Sequence, residues 1–261
     1  MSSNSSPVRR EPSFADPDLY PDVAEARSLA AALTSVASEL GLSLGEVLTN
    51  DSDPYRSAGV ESLAPDRKPS WIILGSVERW FTFSGWWQGV ELITGSTVDL
   101  GEMARALDAW RSGAKIREIH EAATFVKVSE LAEAHELGPA EAVAVKWRRL
   151  LERLRQDVDR LELARSVLAL AETAFDEPKL RQLYPFTSHW SLHFTTCTGF
   201  PFSWDVPFVD PLSDGRHVVS GPSRGTVVGE ADTPEDAVAM VVAGLPENCG
   251  PAVAGTADDP R

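Results

Sequence analysis

The run from Pro139 to Phe175 constrains this chain more than any other stretch. Val143, Trp147, Leu150, Leu151, Leu154, Val158, Leu161, Leu168 and Phe175 recur at three- and four-residue spacing, while Arg148, Arg149, Glu152, Arg153, Arg155 and Asp159 fill the other face. That is the pattern of an amphipathic helix with one buried stripe. Pro139 suits a first helical position, where its missing N–H costs nothing. Unbroken, the run would be about 55 Å long at 1.5 Å per residue, so a bend is expected where polar residues cluster, at Gln156 to Asp159. Segments rich in Trp, Phe and Val flank it. The predicted class is therefore α+β: two small antiparallel β/α lobes joined by a long central helical segment.

The expected boundaries follow from composition shifts. Residues 1–17 read as a disordered tail, 18–138 as an N-terminal lobe, 139–183 as the central helical segment, 184–246 as a β-rich lobe, and 247–261 as a flexible tail. In the first lobe a helix runs from Leu19 or Pro21 to Gly41, and a polar loop extends to Lys68. Strands are expected at Trp71–Leu74, Trp80–Phe83 and Gly89–Thr94, and then a helix capped by Thr97 or Asp99 and ended by Gly113. Residues 114–138 read as one or two short helices. In the second lobe His189–Thr195 is a strand, Val206–Val209 a short strand made edge-like by Pro207, and Arg216–Ser220 with Thr226–Glu230 a hairpin. A last helix is capped by Thr233 with Pro234 at its first position. Both lobes thus read as strands followed by a capped helix, over 70–112 and 188–245, a pattern that fits a duplicated βββα unit.

Charge and cysteine usage limit the function classes. A formal net charge of −15 argues against nucleic acid or an anionic membrane as partner, because phosphate binding needs clustered Lys and Arg. Cys197 and Cys249 form neither a disulfide framework nor a metal-site pattern. No apolar run reaches the roughly 18 residues of a membrane span, and no secretory signal follows the first arginines, so a cytoplasmic location is the expectation. No metal or cofactor is implied: His120-Glu121 lacks the second histidine of a zinc-protease motif, and phosphate loops, GxSxG elbows and CxxC pairs are absent. Glu118, His120, Glu121 and His135 are expected on the surface.

What remains are local constellations. His189, Ser191 and His193 alternate along the proposed strand, and such a polar face can line a cleft or simply face water. Asp205, between Trp204 and Val206, is placed to orient His189 or His193, or to cap the turn before it. Tyr184 is a possible proton donor. Cys197 reads more readily as packing than as a nucleophile. Arg216 and His217 follow a tight turn and are candidates for contact with a ligand or with solvent. Trp80, Trp86 and Trp87 form an aromatic cluster, and two adjacent Trp cannot both face inward on a regular strand. At least one of Trp86 and Trp87 is therefore exposed, in a loop, or on a second packed face, and an exposed one would be a candidate to anchor a ligand.

The stretches LYPFTSHWSLHFTTCTGFPFSWDVPFV and GEADTPEDAVAMVVAGLPENCGPAVAGTADD resemble the C-terminal half of a bacterial family of unknown function. Its members are labelled natural-product biosynthesis proteins in actinomycete sequences. VELITGSTVDLGEMARALDAWRSG and ELAEAHELGPAEAVAVKWRRLLE resemble its N-terminal half, so the resemblance spans roughly residues 70–257. It implies work beside biosynthetic genes, including those for ribosomally made, modified peptides, and it supplies no catalytic residues. Three function classes follow. The first is a metal-free, cofactor-independent lyase or cyclase acting on a modified peptide through His189, His193, Asp205 and Tyr184. The second is a non-catalytic module that holds a precursor peptide or a partner biosynthetic enzyme, by strand addition at Val206–Val209 and a Trp86 or Trp87 anchor. The third is an immunity-type protein, by analogy alone. Oligomeric state is not legible.

Overall fold

The computed structural model describes residues 16–222 and 226–259; most of the tail expected over 1–17 lies outside them. The chain divides into two compact units. One comprises the residues up to Trp87 together with Glu91–Val128, the other Gln88–Val90 with everything from Ser129 onward. Each combines helices with one antiparallel sheet, so the protein is α+β. No helix among the described residues is long and apolar enough to cross a membrane.

The first unit opens with α1 (Pro21–Ala26) and α2 (Leu29–Glu39). The single helix expected here is broken at Arg27, whose φ of 64° is left-handed, and α2 restarts on Ser28, whose hydroxyl accepts from Ala31 N at 3.0 Å. Strands β1 (Val47–Thr49), β2 (Ser57–Val60), β3 (Ser70–Leu74), β4 (Phe81–Trp87), β5 (Val90–Thr97) and β6 (Val126–Val128) lie side by side in chain order. Between β5 and β6 stand α3 (Leu100–Arg111) and α4 (Ile116–Ala122). The polar loop expected to reach Lys68 thus contains two strands, and residues 114–138 contain a third. All three are three or four residues long, too short for periodicity to register, and tertiary pairing makes them strands. Asp99 is the cap of α3, accepting from Gly101 N at 2.7 Å and Glu102 N at 3.0 Å. Leu33, Ile72, Phe81, Phe83, Leu107 and Trp110 form the centre of this unit's core.

The second unit begins with α5 (Glu130–Leu137), α6 (Pro139–Asp157) and α7 (Glu162–Asp176). The bend expected near Gln156–Asp159 is realised as the gap between α6 and α7. A short α8 (Pro178–Arg181) leads into β7 (Tyr184–Ser188), β8 (Ser191–Thr195), β9 (Phe208–Pro211), β10 (His217–Ser220) and β11 (Val227–Ala231), and α9 (Pro234–Ala243) follows. The sheet order is β11-β10-β9-β8-β7, an antiparallel meander. Helices α6, α7 and α9 pack on the sheet, and Val143, Trp147, Leu151, Leu170, Leu192 and Phe194 belong to one continuous core. Thr233 caps α9 as expected, accepting from Asp236 N at 3.1 Å. Both units thus contain an antiparallel meander and a helix capped by a side-chain oxygen, which keeps the duplicated pattern plausible.

Three expectations for this unit are corrected. Strand β9 is central, paired with β8 at Leu192–Val209 and with β10 along its whole length. Pro207 precedes it and so removes no ladder hydrogen bond. The proline that does mark an edge is Pro185, in β7. Second, His189 is not on a strand. His189 and Trp190, with φ of 51° and 74°, form the tight two-residue turn of the β7–β8 hairpin, whose twist demands positive φ. Third, residues 247–259 are not a loose tail. Ala252 N donates to Gln182 O, Val253 N to Thr196 O and Ala257 N to Pro201 O, at 3.0, 3.0 and 2.8 Å, and Ala252 is buried. Gly199, beneath this return, has no room for a side chain: a Cβ there would stand 1.9 Å from Gln88 O.

Candidate functional site

All the chemistry that sequence reading placed after Leu183 falls in the second unit, with His189 set apart from His193. Leu192 and Phe194 point to the helices, so His193 and Thr195 point to the other face of the sheet. There the loop 196–207 folds back and closes over them. The His193 ring, 4% exposed, is stacked between Phe186 and Phe208 at 4.9 and 4.5 Å, with Trp204 edge-on at 5.4 Å. Phe202 extends the cluster by stacking on Phe186 at 4.7 Å. The expected polar cleft is therefore an aromatic layer with one imidazole inside it.

His189 stands two ladder rungs beyond that layer, exposed at the hairpin tip, with Nδ1 3.2 Å from Ser188 Oγ. Ser191 donates to Asp210. Asp205 is engaged by Thr196 Oγ1, at 3.0 Å to Oδ2. A compact hydroxyl network fixes this loop: Thr196 N donates to Ser203 Oγ at 2.9 Å and Ser203 N to Thr195 Oγ1 at 3.0 Å. Cys197 is fully buried beneath it. Arg216 is exposed and ion-paired to Asp214 and Glu230, which neutralises the charge a ligand would need. His217 is buried, with Nε2 3.5 Å from Ser166 Oγ. In the first unit Trp86 is 40% exposed and donates from Nε1 to Ser84 Oγ at 3.1 Å. Trp87 is half-buried beside it, in keeping with the rule that the two must face opposite ways.

Tyr184 belongs to a different cluster. Its hydroxyl lies 3.3 Å from His135 Nε2, and the Lys146 ammonium lies 5.1 Å over its ring. His135, expected on the surface, is only 7% exposed. Burial, and secondarily Lys146, lowers its pKa to about 4, so the imidazole is neutral. Burial pushes the Tyr184 phenol above its ordinary value, which makes it a poor proton source but a sound hydrogen-bond donor. Burial, then Arg153 and Arg149, lowers the Lys146 ammonium. Lys146, Arg149 and Arg153 line a cleft of about 440 Å³ with Leu131, Phe186 and Thr187. Sequence reading had grouped Arg149 and Arg153 with the solvated face of the helix. The spacing was the available signal: Arg149 stands three residues after Lys146 and Arg153 four after Arg149.

A second hollow lies on another face of α6. Its volume is about 1160 Å³, and Val143, Trp147, Leu151, Phe175, Pro178 and Pro251 give it an apolar floor and walls. Arg155 closes one end through Glu172 at 2.7 Å, tying α6 to α7. Sequence reading missed this groove because its two walls, α6 and the segment at Pro251, are over a hundred positions apart. Among the described residues no three His, Cys, Asp or Glu side chains gather as a metal site requires.

Residues 141–256 match the model of a family of unknown function, DUF6193. The match falls inside the second unit and includes β7–β11, most of α6 and the returning segment, whereas the resemblance read from sequence began near residue 70. No curated protein and no solved structure is significantly similar to the chain.

Proposed function

We propose that this protein is a non-catalytic binding module of natural-product biosynthesis, and that the second unit holds an apolar helical segment of a precursor peptide or partner enzyme in the groove along α6 and α7. The observation that carries this is the groove itself: an apolar trough of about 1160 Å³, large for a small-molecule site and lined along α6 by Val143, Trp147 and Leu151, a stripe that suits an amphipathic helix. The resemblance to proteins labelled for natural-product biosynthesis supports the setting. The acid–base alternative required His189, His193 and Asp205 to share a hollow. With His189 exposed at a hairpin tip and His193 buried in an aromatic layer, binding is the reading with more support.

The test uses precursor peptides and biosynthetic enzymes encoded beside the gene, with affinity followed by fluorescence anisotropy. Ala144 is exposed on the groove wall, so Ala144→Arg fills the trough without touching the core. It is expected to weaken binding at least about tenfold while leaving thermal stability unchanged. Saturable binding that Ala144→Arg leaves intact, or no binding to any such partner, refutes the proposal.

A further inference from the structure

Lys146, Arg149 and Arg153 share one side of α6, and all three open into the cleft of about 440 Å³ formed with Leu131 of α5 and Phe186 and Thr187 of β7. Other arginines of this helix are matched by acids: Arg148 pairs with Glu130 and Glu152, and Arg155 with Glu172. Among the described residues no carboxylate lies within ion-pair distance of Lys146, Arg149 or Arg153. Glu130, which acts on Arg149 through space, is itself engaged by Arg148. Arg153 is instead fixed by donating from Nη2 to the neutral Thr187 hydroxyl at 2.7 Å. In a chain with 39 acidic and 24 basic residues, three neighbouring cations facing one hollow without an acid among them run against composition. Like charges one helical turn apart repel, and an anion bound among them would relieve that repulsion.

We infer that this cleft is a binding site for an oxyanion, phosphate or carboxylate, carried on a small apolar body. Arg149 and Arg153 offer forked donors suited to two oxygens of one group. Lys146 adds a third charge from the inner wall, where the Tyr184 ring supports its ammonium. Leu131, Leu150 and Phe186 give the apolar part of the ligand a surface to cover. The volume falls within the range of small-molecule pockets. The site lies on a different side of α6 from the groove, so it stands or falls independently of the peptide-binding reading.

The experiment is calorimetric titration of the full chain with inorganic pyrophosphate, phenyl phosphate and 3-phenylpropionate, at low and high salt. One saturable site is expected, weakened by salt and weakened about tenfold or more by Lys146→Met and by Arg153→Gln. Tighter binding of phenyl phosphate identifies the natural group as a phosphate, and tighter binding of 3-phenylpropionate identifies it as a carboxylate. Arg149→Gln, at an exposed position, gives the same measurement should Lys146→Met fail to fold. Absence of saturable binding by all three probes, or an affinity that the folded variants leave unchanged, overturns the inference.

Discussion

Trp147→Ala is expected to destabilise the second unit by about 4 kcal/mol. The indole is fully buried, among the largest side chains in its core. Its ring meets Phe175 of α7 at 5.5 Å and Phe194 of β8 at 6.1 Å, so one side chain joins the helical layer to the sheet. Its Nε1 donates to Leu183 O at 3.1 Å, a buried hydrogen bond whose loss leaves a carbonyl to be resatisfied. Alanine would leave a cavity between rigid elements that have little room to collapse. Trp147→Phe keeps most of the volume and loses the hydrogen bond, so about half the loss is expected. Urea denaturation of the three proteins is the measurement, and a loss below about 1 kcal/mol for Trp147→Ala would show that the indole does not hold the layers together.

The second large effect is a dependence on acid. His135 has a folded pKa of about 4 against an ordinary 6.5. A lowered folded value means that the unfolded chain binds the extra proton first. The stability tied to neutral His135 is therefore complete above pH 6.5 and is lost as pH falls toward 4. Between pH 7.5 and 4.5 the expected loss is about 2.5 kcal/mol, at 1.36 kcal/mol per pKa unit. His217, lowered by burial against a smaller opposing effect of Glu235, adds in the same direction. Asp22, which the Arg79 hydrogen bond holds below its ordinary value, loses stability at still lower pH. His135→Gln retains a partner for the Tyr184 hydroxyl and removes the titration, so its stability should fall less between the two pH values by about 2.5 kcal/mol. Parallel pH profiles for the two proteins would mean that His135 is as hydrated folded as unfolded.

The features legible in the sequence were those with local causes. The α6–α7 pattern, its break, the Asp99 and Thr233 caps and the β10–β11 hairpin were all readable, because periodicity, capping and turn chemistry act over a few residues. Strands β1, β2, β6 and β7 were not, since each is short or carries a proline and owes its conformation to a neighbour distant in sequence. The site followed the same division. Alternation correctly placed His193 opposite Leu192 and Phe194, yet nothing in it could tell that Phe186, Trp204 and Phe208 would arrive to enclose the ring. Likewise His135 looked like a surface histidine until Tyr184, 49 residues further on, was seen to bury it.

The backbone return of residues 252–257 has a bearing on biogenesis. The Thr196 carbonyl, the Gly199 N–H and the Pro201 carbonyl find backbone partners in that late stretch, so the hydroxyl-rich turn above β8 lacks those three bonds while the nascent chain still holds those residues in the ribosome. The first unit needs nothing of the kind for its own sheet and is free to form early, whereas the second must wait for translation to pass residue 257. During that interval the turn that carries Phe202 and Trp204, which pack on Phe186, is without those bonds and is least firmly held.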